Sequence, residues 1–433
     1  MLKTIRSLTA LALCALALQA PASAKVHIVD PSGGSAWIEI QYALNVAVDG
    51  DTILVRSGMY QAFDIVGKAV TIVGDTGASV VVAGGIKVRD LQLGENVVLR
   101  NLTLIGDQQS ALLRENGLRV EDCLGAVRVE GCSIFGSVGF GFSGGSELPG
   151  RPGVFASVAR DLSFHDCVIV GGKGAASWTG GPYSAGGHGA EVAGSVVSFH
   201  ACQVIGSMGA YGDDLGDGAP GGHGLYAHLE PDHPLQATRV HGAGSVFTGA
   251  DGTTDALCFV AGSGGDGVRL EDVGTIATLL DNNYTWGLKG SCGSFGHDGQ
   301  DIFAGGGASY HAIAGGSRDV SSTAPVRELG TLDLSFTGEA GDLGILLLSA
   351  GPSHVGVLPW GGTQLISLPL IAPSIVAAKA LPVGGTVSAQ LPIPNLPVGI
   401  EGMTLYTQGV FFDLAGGLWL ASPTTLVLLD QSF

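Results

Sequence analysis

Three ten-residue segments of this chain superimpose without gaps: Val127–Gly136 (VRVEGCSIFG), Leu162–Gly171 (LSFHDCVIVG) and Val197–Gly206 (VSFHACQVIG). Their cysteines fall at 132, 167 and 202, so the step is 35 residues twice (167 − 132 and 202 − 167). A looser copy is Thr238–Gly244 (TRVHGAG). A fixed period in this range marks a solenoid, whose units bury their apolar faces against one another. In such a coil like residues form columns, and Cys132, Cys167 and Cys202 stack about one strand spacing (~4.8 Å) apart.

Glycine sets the texture between these segments. There are 72 Gly among 433 residues, with 13% charged and 45% apolar residues. That balance excludes general disorder, which needs low hydrophobicity and high charge. Short Val, Ile and Leu runs between Gly-rich stretches predict short strands and irregular loops. The loops Gly136–Gly153, Gly171–Gly189, Gly206–Gly224 and Gly249–Gly267 are nearly equal in length. Each leads into a short strand: Val154-Phe155-Ala156, Ala190-Glu191-Val192, Leu225-Tyr226-Ala227 and Val268-Arg269-Leu270. The spacing predicts a wall of loops on one flank of the coil, held by backbone hydrogen bonds because glycine lets backbones approach closely.

Upstream, Ile40, Ala43, Leu44 and Ala47 have helical spacing, Asp49-Gly50-Asp51 breaks it, and Thr52–Val55 reads as a strand. The stretch Ile40–Tyr60 and the following Lys68–Gly74 (KAVTIVG) resemble the opening of right-handed parallel β-helix proteins of the pectin-lyase-like group. The resemblance covers the cap and first rungs closely and continues loosely to about residue 320. It implies three parallel sheets around a filled core, with ligands, usually polysaccharides, along an outer groove. From Glu328 onward glycine thins and further strands follow at sandwich-like spacing. The expected architecture is all-β: a right-handed parallel β-helix solenoid with an N-terminal cap helix, then a small C-terminal β-sandwich. The expected divisions are 1–24, 25–327 and 328–433.

The first segment reads as an export signal. Lys3 and Arg6 are basic, Leu8–Leu18 is apolar, and Ala22-Ser23-Ala24 is an A-x-A site with cleavage after Ala24. The expected location is extracellular or on the cell surface, with no transmembrane segment. Cleavage removes two positive charges and takes the net charge from −18 to −20. So acidic a surface excludes nucleic acid as a partner, and disfavours polyanionic sugars unless a cation bridges them. Six cysteines remain: Cys123, Cys132, Cys167, Cys202, Cys258 and Cys292. Either the three repeat cysteines are a buried thiol column, or a bridge forms within that column, between Cys123 and Cys132, or between Cys258 and Cys292.

Four groups of residues are candidates for chemistry. His188 and His223 end two Gly-Gly-His-Gly loops one period apart; two imidazoles near an acid suit a transition metal or acid–base work. Asp213, Asp214 and Asp217 cluster among glycines, which suits calcium as a cofactor. Glu130, His165, His200 and His241 form a ladder at one corner, read as stacked turns beside core Phe164 and Phe199. Trp178, Tyr183 and Tyr211 in adjacent loops offer faces for sugar rings.

Family catalysis does not carry over. The resemblance implies, for lyases, calcium-binding acids with an Arg or Lys base; for hydrolases, clustered Asp; for esterases, two Asp with an Arg. Here Arg128, Arg160, Arg239 and Arg269 are scattered, and the central strands hold no such set. The leading reading is a secreted or surface protein that binds polysaccharide or other surface components without catalysis. The alternatives are a polysaccharide lyase or glycoside hydrolase using Asp213, Asp214, Asp217, His188 and His223, and a purely structural envelope or adhesion component.

Overall fold

The computed structural model describes residues 24–107, 115–140, 148–175, 184–210, 218–233, 236–254, 260–291, 296–349, 351–356, 363–366 and 375–433. Within them, 22 strands from Val26–Val29 to Ser309–Ile313 join in one continuous sheet. Each strand pairs in parallel with its counterpart a full turn later. One file runs from Val154–Ser157 through Ala190–Ala193, Leu225–His228 and Val268–Leu270 to Ile302–Ala304. A second runs through Asn96–Arg100, Val127–Glu130, Leu162–His165, Val196–His200 and Arg239–Ala243. A third runs through Thr103–Ile105, Ser133–Phe135, Val168–Val170, Gln203–Ile205 and Val246–Thr248. Three files per turn make a parallel β-helix.

Alternation in these short strands decides what lies inside. Ile134, Ile169, Val204 and Phe247 occupy one buried column, and Val154, Ala190, Leu225 and Val268 another. Phe164 and Phe199 stack with ring centroids 5.2 Å apart. One apolar cluster runs from Val29 to Leu279, and the helix Ile40–Val46 adds Ile40, Ala43 and Leu44 to it near the N-terminal rungs.

The cysteine column is present. Cys132, Cys167 and Cys202 lie between strands paired in register and are all 1% exposed. They are free thiols, as is Cys123, so neither a bridge within the column nor a Cys123–Cys132 bridge is formed. Each thiol donates to the carbonyl two residues back: Glu130 at 3.3 Å, His165 at 3.3 Å and His200 at 3.2 Å. The thiols thus serve the turns where Gly131, Asp166 and Ala201 sit at φ 58°, 51° and 51°. Cys258 and Cys292 lie outside the described residues.

The glycine-rich segments form a second lattice beside the coil. The N–H groups of Gly171 and Gly174 donate to Ile205 O and Met208 O of the next loop, and those of Gly186 and Gly189 to Pro220 O and His223 O. The period is three residues, and within each of these arms the bonds go to neighbouring arms, the signature of polyproline II chains. A zigzag of bonds ties outgoing to returning arms: Gly172 to Arg151 O, Gly187 to Gly172 O, Ser207 to Gly187 O and Gly222 to Ser207 O. Side chains do not fit here; a Cβ on Gly222 would collide with the Gly187 carbonyl. Along the wall, Gly136, Gly171, Gly206 and Gly249 form one column, and strand register places Trp286 next in it. By the same register Lys289 follows Gly174, Gly209 and Gly252; Asp298 follows Gly186, Gly221 and Gly264; Asp301 follows Gly189, Gly224 and Gly267.

From Asp319 the pairing turns mainly antiparallel. Asp319–Ser322, Thr331–Thr337 and Thr386–Pro392 form a three-stranded sheet. Val326–Arg327, Leu418–Leu429, Gly402–Phe412, Leu343–Ser349 and Ile375–Ala380 form a five-stranded one. Val320, Leu334 and Phe336 of the first share a core with Leu346, Phe411 and Leu426 of the second. The strand at Asp319 lies ahead of residue 328, where the change in glycine content falls.

Candidate functional site

Where Val154 and Ala156 point inward, Phe155 points out, and the same alternation repeats rung by rung. The register therefore lines up Lys87, Arg119, Phe155, Glu191, Tyr226, Arg269 and Phe303 in one outward column. Six steps of ~4.8 Å make it roughly 29 Å long. The Arg119 guanidinium lies 5.1 Å from the Phe155 ring centroid, and that of Arg269 4.5 Å from Phe303. These contacts hold the planar groups flat against the column.

A polar network fixes its middle. The Tyr226 hydroxyl donates to Glu271 Oε2 at 2.8 Å, and Arg269 Nε donates to Glu271 Oε1 at 2.8 Å. Burial and the Glu271 hydrogen bond push the Tyr226 phenol up, so it stays a neutral donor. Burial alone would raise the Glu271 carboxyl, but the bonds from Tyr226 and Arg269 leave it below its ordinary value. His228 Nδ1 lies 2.7 Å from Leu229 O, and its Nε2 lies 3.5 Å from Glu191 Oε1. Burial opposes charge on both partners. The ion pair prevails, raising the His228 imidazole and lowering the Glu191 carboxyl.

His188 and His223 stand beside this column, rings stacked 4.9 Å apart at 11°. His188 Nδ1 accepts the His223 backbone N–H at 3.0 Å, and His223 Nδ1 accepts that of Asp266 at 2.8 Å. Both Nδ1 lone pairs are used, which places the proton on Nε2. Burial lowers both imidazoles, His223 to about 2, so they are neutral N–H donors. They line a cavity of about 370 Å³ with Glu191, Arg151, Arg269 and His297. Asp213, Asp214, Asp217, Trp178, Tyr183 and Tyr211 lie outside the described residues. Among the described residues no three His, Cys, Asp or Glu side chains are grouped to hold a metal ion. Sequence reasoning missed Glu191, Tyr226 and Arg269 as a set. Their signal was present: each is the polar middle residue of a short strand that follows a glycine loop.

The corner ladder needs a correction. Glu130, His165 and His200 are in register, but their next neighbour is Ala243, and His241 pairs with Ser198. The step lengthens there from 35 to 43 residues (247 − 204), so the fourth copy is offset by two positions. Nor is the ladder a set of plain turns: it faces the C-terminal strands. His165 Nε2 lies 2.8 Å from Asp319 Oδ1, and the Glu130 carboxylate accepts the Thr425 backbone N–H at 2.9 Å.

The coiled parallel sheet is that of a parallel β-helix. Among solved structures, pectate lyase Pel9A is similar at 14% identity over 67% of this chain and 79% of that one, with a TM-score of 0.35. The receptor-binding tailspike of bacteriophage Det7 is similar at 11% identity over 94% of this chain and 98% of that one, with a TM-score of 0.16. No protein-family profile and no curated protein sequence matches the chain. No helix among the described residues is long and apolar enough to cross a membrane.

Proposed function

We propose that this chain is an exported glycan-binding protein and that the Lys87–Phe303 column is its binding face. In this reading residues 1–24 are a cleaved signal, a right-handed β-helix with its cap helix carries the face, and a C-terminal β-sandwich aids attachment. The sandwich takes in the strand at Asp319 as well as residues 328–433. The carrying observation is the alternation of Phe155, Tyr226 and Phe303 with Arg119, Glu191 and Arg269 along one straight line. Aromatic and guanidinium planes offer flat apolar area to sugar rings, while fixed polar groups meet their hydroxyls.

The electrostatics favour binding over catalysis. Hydrolysis by paired carboxylates needs one kept protonated as the acid. The Glu191 and Glu271 carboxyls are both lowered instead. His188 and His223 have no free lone pair at Nδ1 and carry the proton at Nε2, so neither is set up as a base.

Titration calorimetry against a panel of soluble polysaccharides tests this. The expected result is binding to at least one, weakened tenfold or more by Phe155→Ala and by Phe303→Ala, with no release of reducing or unsaturated ends. Binding untouched by both substitutions, or release of such ends, overturns the reading.

A further inference from the structure

We infer that the column selects an uncharged glycan and rejects a polyanionic one, because its cations are already paired with carboxylates of the same face. This deepens the reading of the column as a glycan site and rests on it. Lys87 Nζ is 2.8 Å from Glu115 Oε1, and Arg119 Nη2 is 2.5 Å from Glu121 Oε1. Arg269 bonds Glu271 at 2.5 Å and Asp266 at 3.2 Å, and His228 faces Glu191 at 3.5 Å. Arg151, exposed at the cavity rim, is the exception. Counting it, four cations (Lys87, Arg119, Arg151, Arg269) and the His228 imidazole meet five carboxylates (Glu115, Glu121, Glu191, Asp266, Glu271).

A charged sugar polymer entering this face gives up water without gaining a free counter-charge. It also meets a chain whose net charge after signal cleavage is −20 (−18 less Lys3 and Arg6). A neutral sugar meets a different surface. Each guanidinium has five N–H donors, and the pairing leaves some of them for hydroxyl oxygens. The carboxylates have spare lone pairs for hydroxyl hydrogens. His188 and His223 add two uncharged N–H donors one rung apart, which bind an oxygen without demanding that it be charged.

Matched pairs of soluble polymers test this with the full secreted chain: hydroxyethyl- and carboxymethyl-cellulose, dextran and dextran sulfate, methyl-esterified and de-esterified polygalacturonate. The expected result is that, wherever a pair binds, the neutral member binds at least tenfold more tightly and with little dependence on salt. The variant Glu121→Gln/Glu271→Gln frees Arg119 and loosens Arg269. It should gain fivefold or more for the acidic members at low salt and lose that gain at high salt. Circular dichroism confirms that the variant is folded. Tighter binding of an acidic member by the wild-type chain overturns the inference while leaving a glycan site in place. Failure of every polymer to bind removes the glycan reading itself, and the inference with it.

Discussion

Glu130 and Thr425, 295 residues apart in sequence, share two hydrogen bonds: the buried carboxylate accepts the Thr425 backbone N–H at 2.9 Å through Oε1 and at 3.1 Å through Oε2. Arg100 Nη1 reaches Glu130 Oε2 and Thr425 O, each at 2.5 Å. Glu130 is 3% exposed and Arg100 6%, so this ionic joint between coil and C-terminal sheet is shut off from water. Removing one partner of a buried pair strands the other charge, at about 3–5 kcal/mol. Glu130→Ala should therefore lower unfolding free energy by about that amount in urea titrations, while Arg100→Met/Glu130→Met should cost less than the two single changes added. Strict additivity would show the two side chains to be uncoupled.

The same seam predicts a stability maximum near neutral pH. Burial works against charge on His165, but Asp319 and Glu130 overcome it and raise the imidazole to about 9; Cys202 and His200 also face it. A folded value above the ordinary one near 6.5 gives stability that is complete below pH 6.5 and is lost as pH rises through 9. His200 and His241 go the other way: burial, then the positive potential of His165 and His354 on the first and of His354 and Arg239 on the second, lowers each to about 3. Their contribution is complete above pH 6.5 and is lost as pH falls towards 3. Melting temperatures should fall on both sides, with His165→Gln flattening the alkaline limb and His200→Gln the acid limb.

Nitrogen NMR of the imidazoles should show His223 as a neutral Nε2–H tautomer still at pH 5, and His188 titrating below an ordinary imidazole. His188→Ala leaves the His223 backbone N–H without its acceptor and should cost about 1–3 kcal/mol. A protonated His223 resonance at that pH would falsify the tautomer assignment.

Glycine in the wall is needed for space. Gly222→Ala drives a Cβ into the Gly187 carbonyl and should cost about 1–3 kcal/mol. Gly384 has nothing within 4 Å of its would-be Cβ, so Gly384→Ala should stay within about 0.5 kcal/mol of the parent. Equal effects at the two positions would contradict the packing of the wall.

The coil was legible because one spacing, 35 residues, carries its register, and because Cys132, Cys167 and Cys202 mark the same turn three times. The helix Ile40–Val46 was legible from Ile40, Ala43 and Leu44. His241 was misplaced because the step lengthens beyond Cys202, which a repeat read by eye does not follow. The binding column was the harder reading. Glu191, Tyr226 and Arg269 each stand alone in their own short strand, and they become a set only when rungs 35 and 43 residues apart lie side by side. The pairing of Glu130 with Thr425 had no local signal at all, since nothing near either residue names the other.

Trp286, Lys289, Asp298 and Asp301 bear on where the wall stops. At Gly186, Gly221 and Gly264 a Cβ would strike the backbone of the following unit, so glycine there leaves room for the next arm. In the last unit Asp298 and Asp301 stand in the two columns whose glycines lie against the following unit's backbone, and the Lys289 N–H is turned onto Asp298 at 2.8 Å. A further glycine arm would meet the Asp298 and Asp301 side chains, so the lattice of close backbones closes at these two carboxylates.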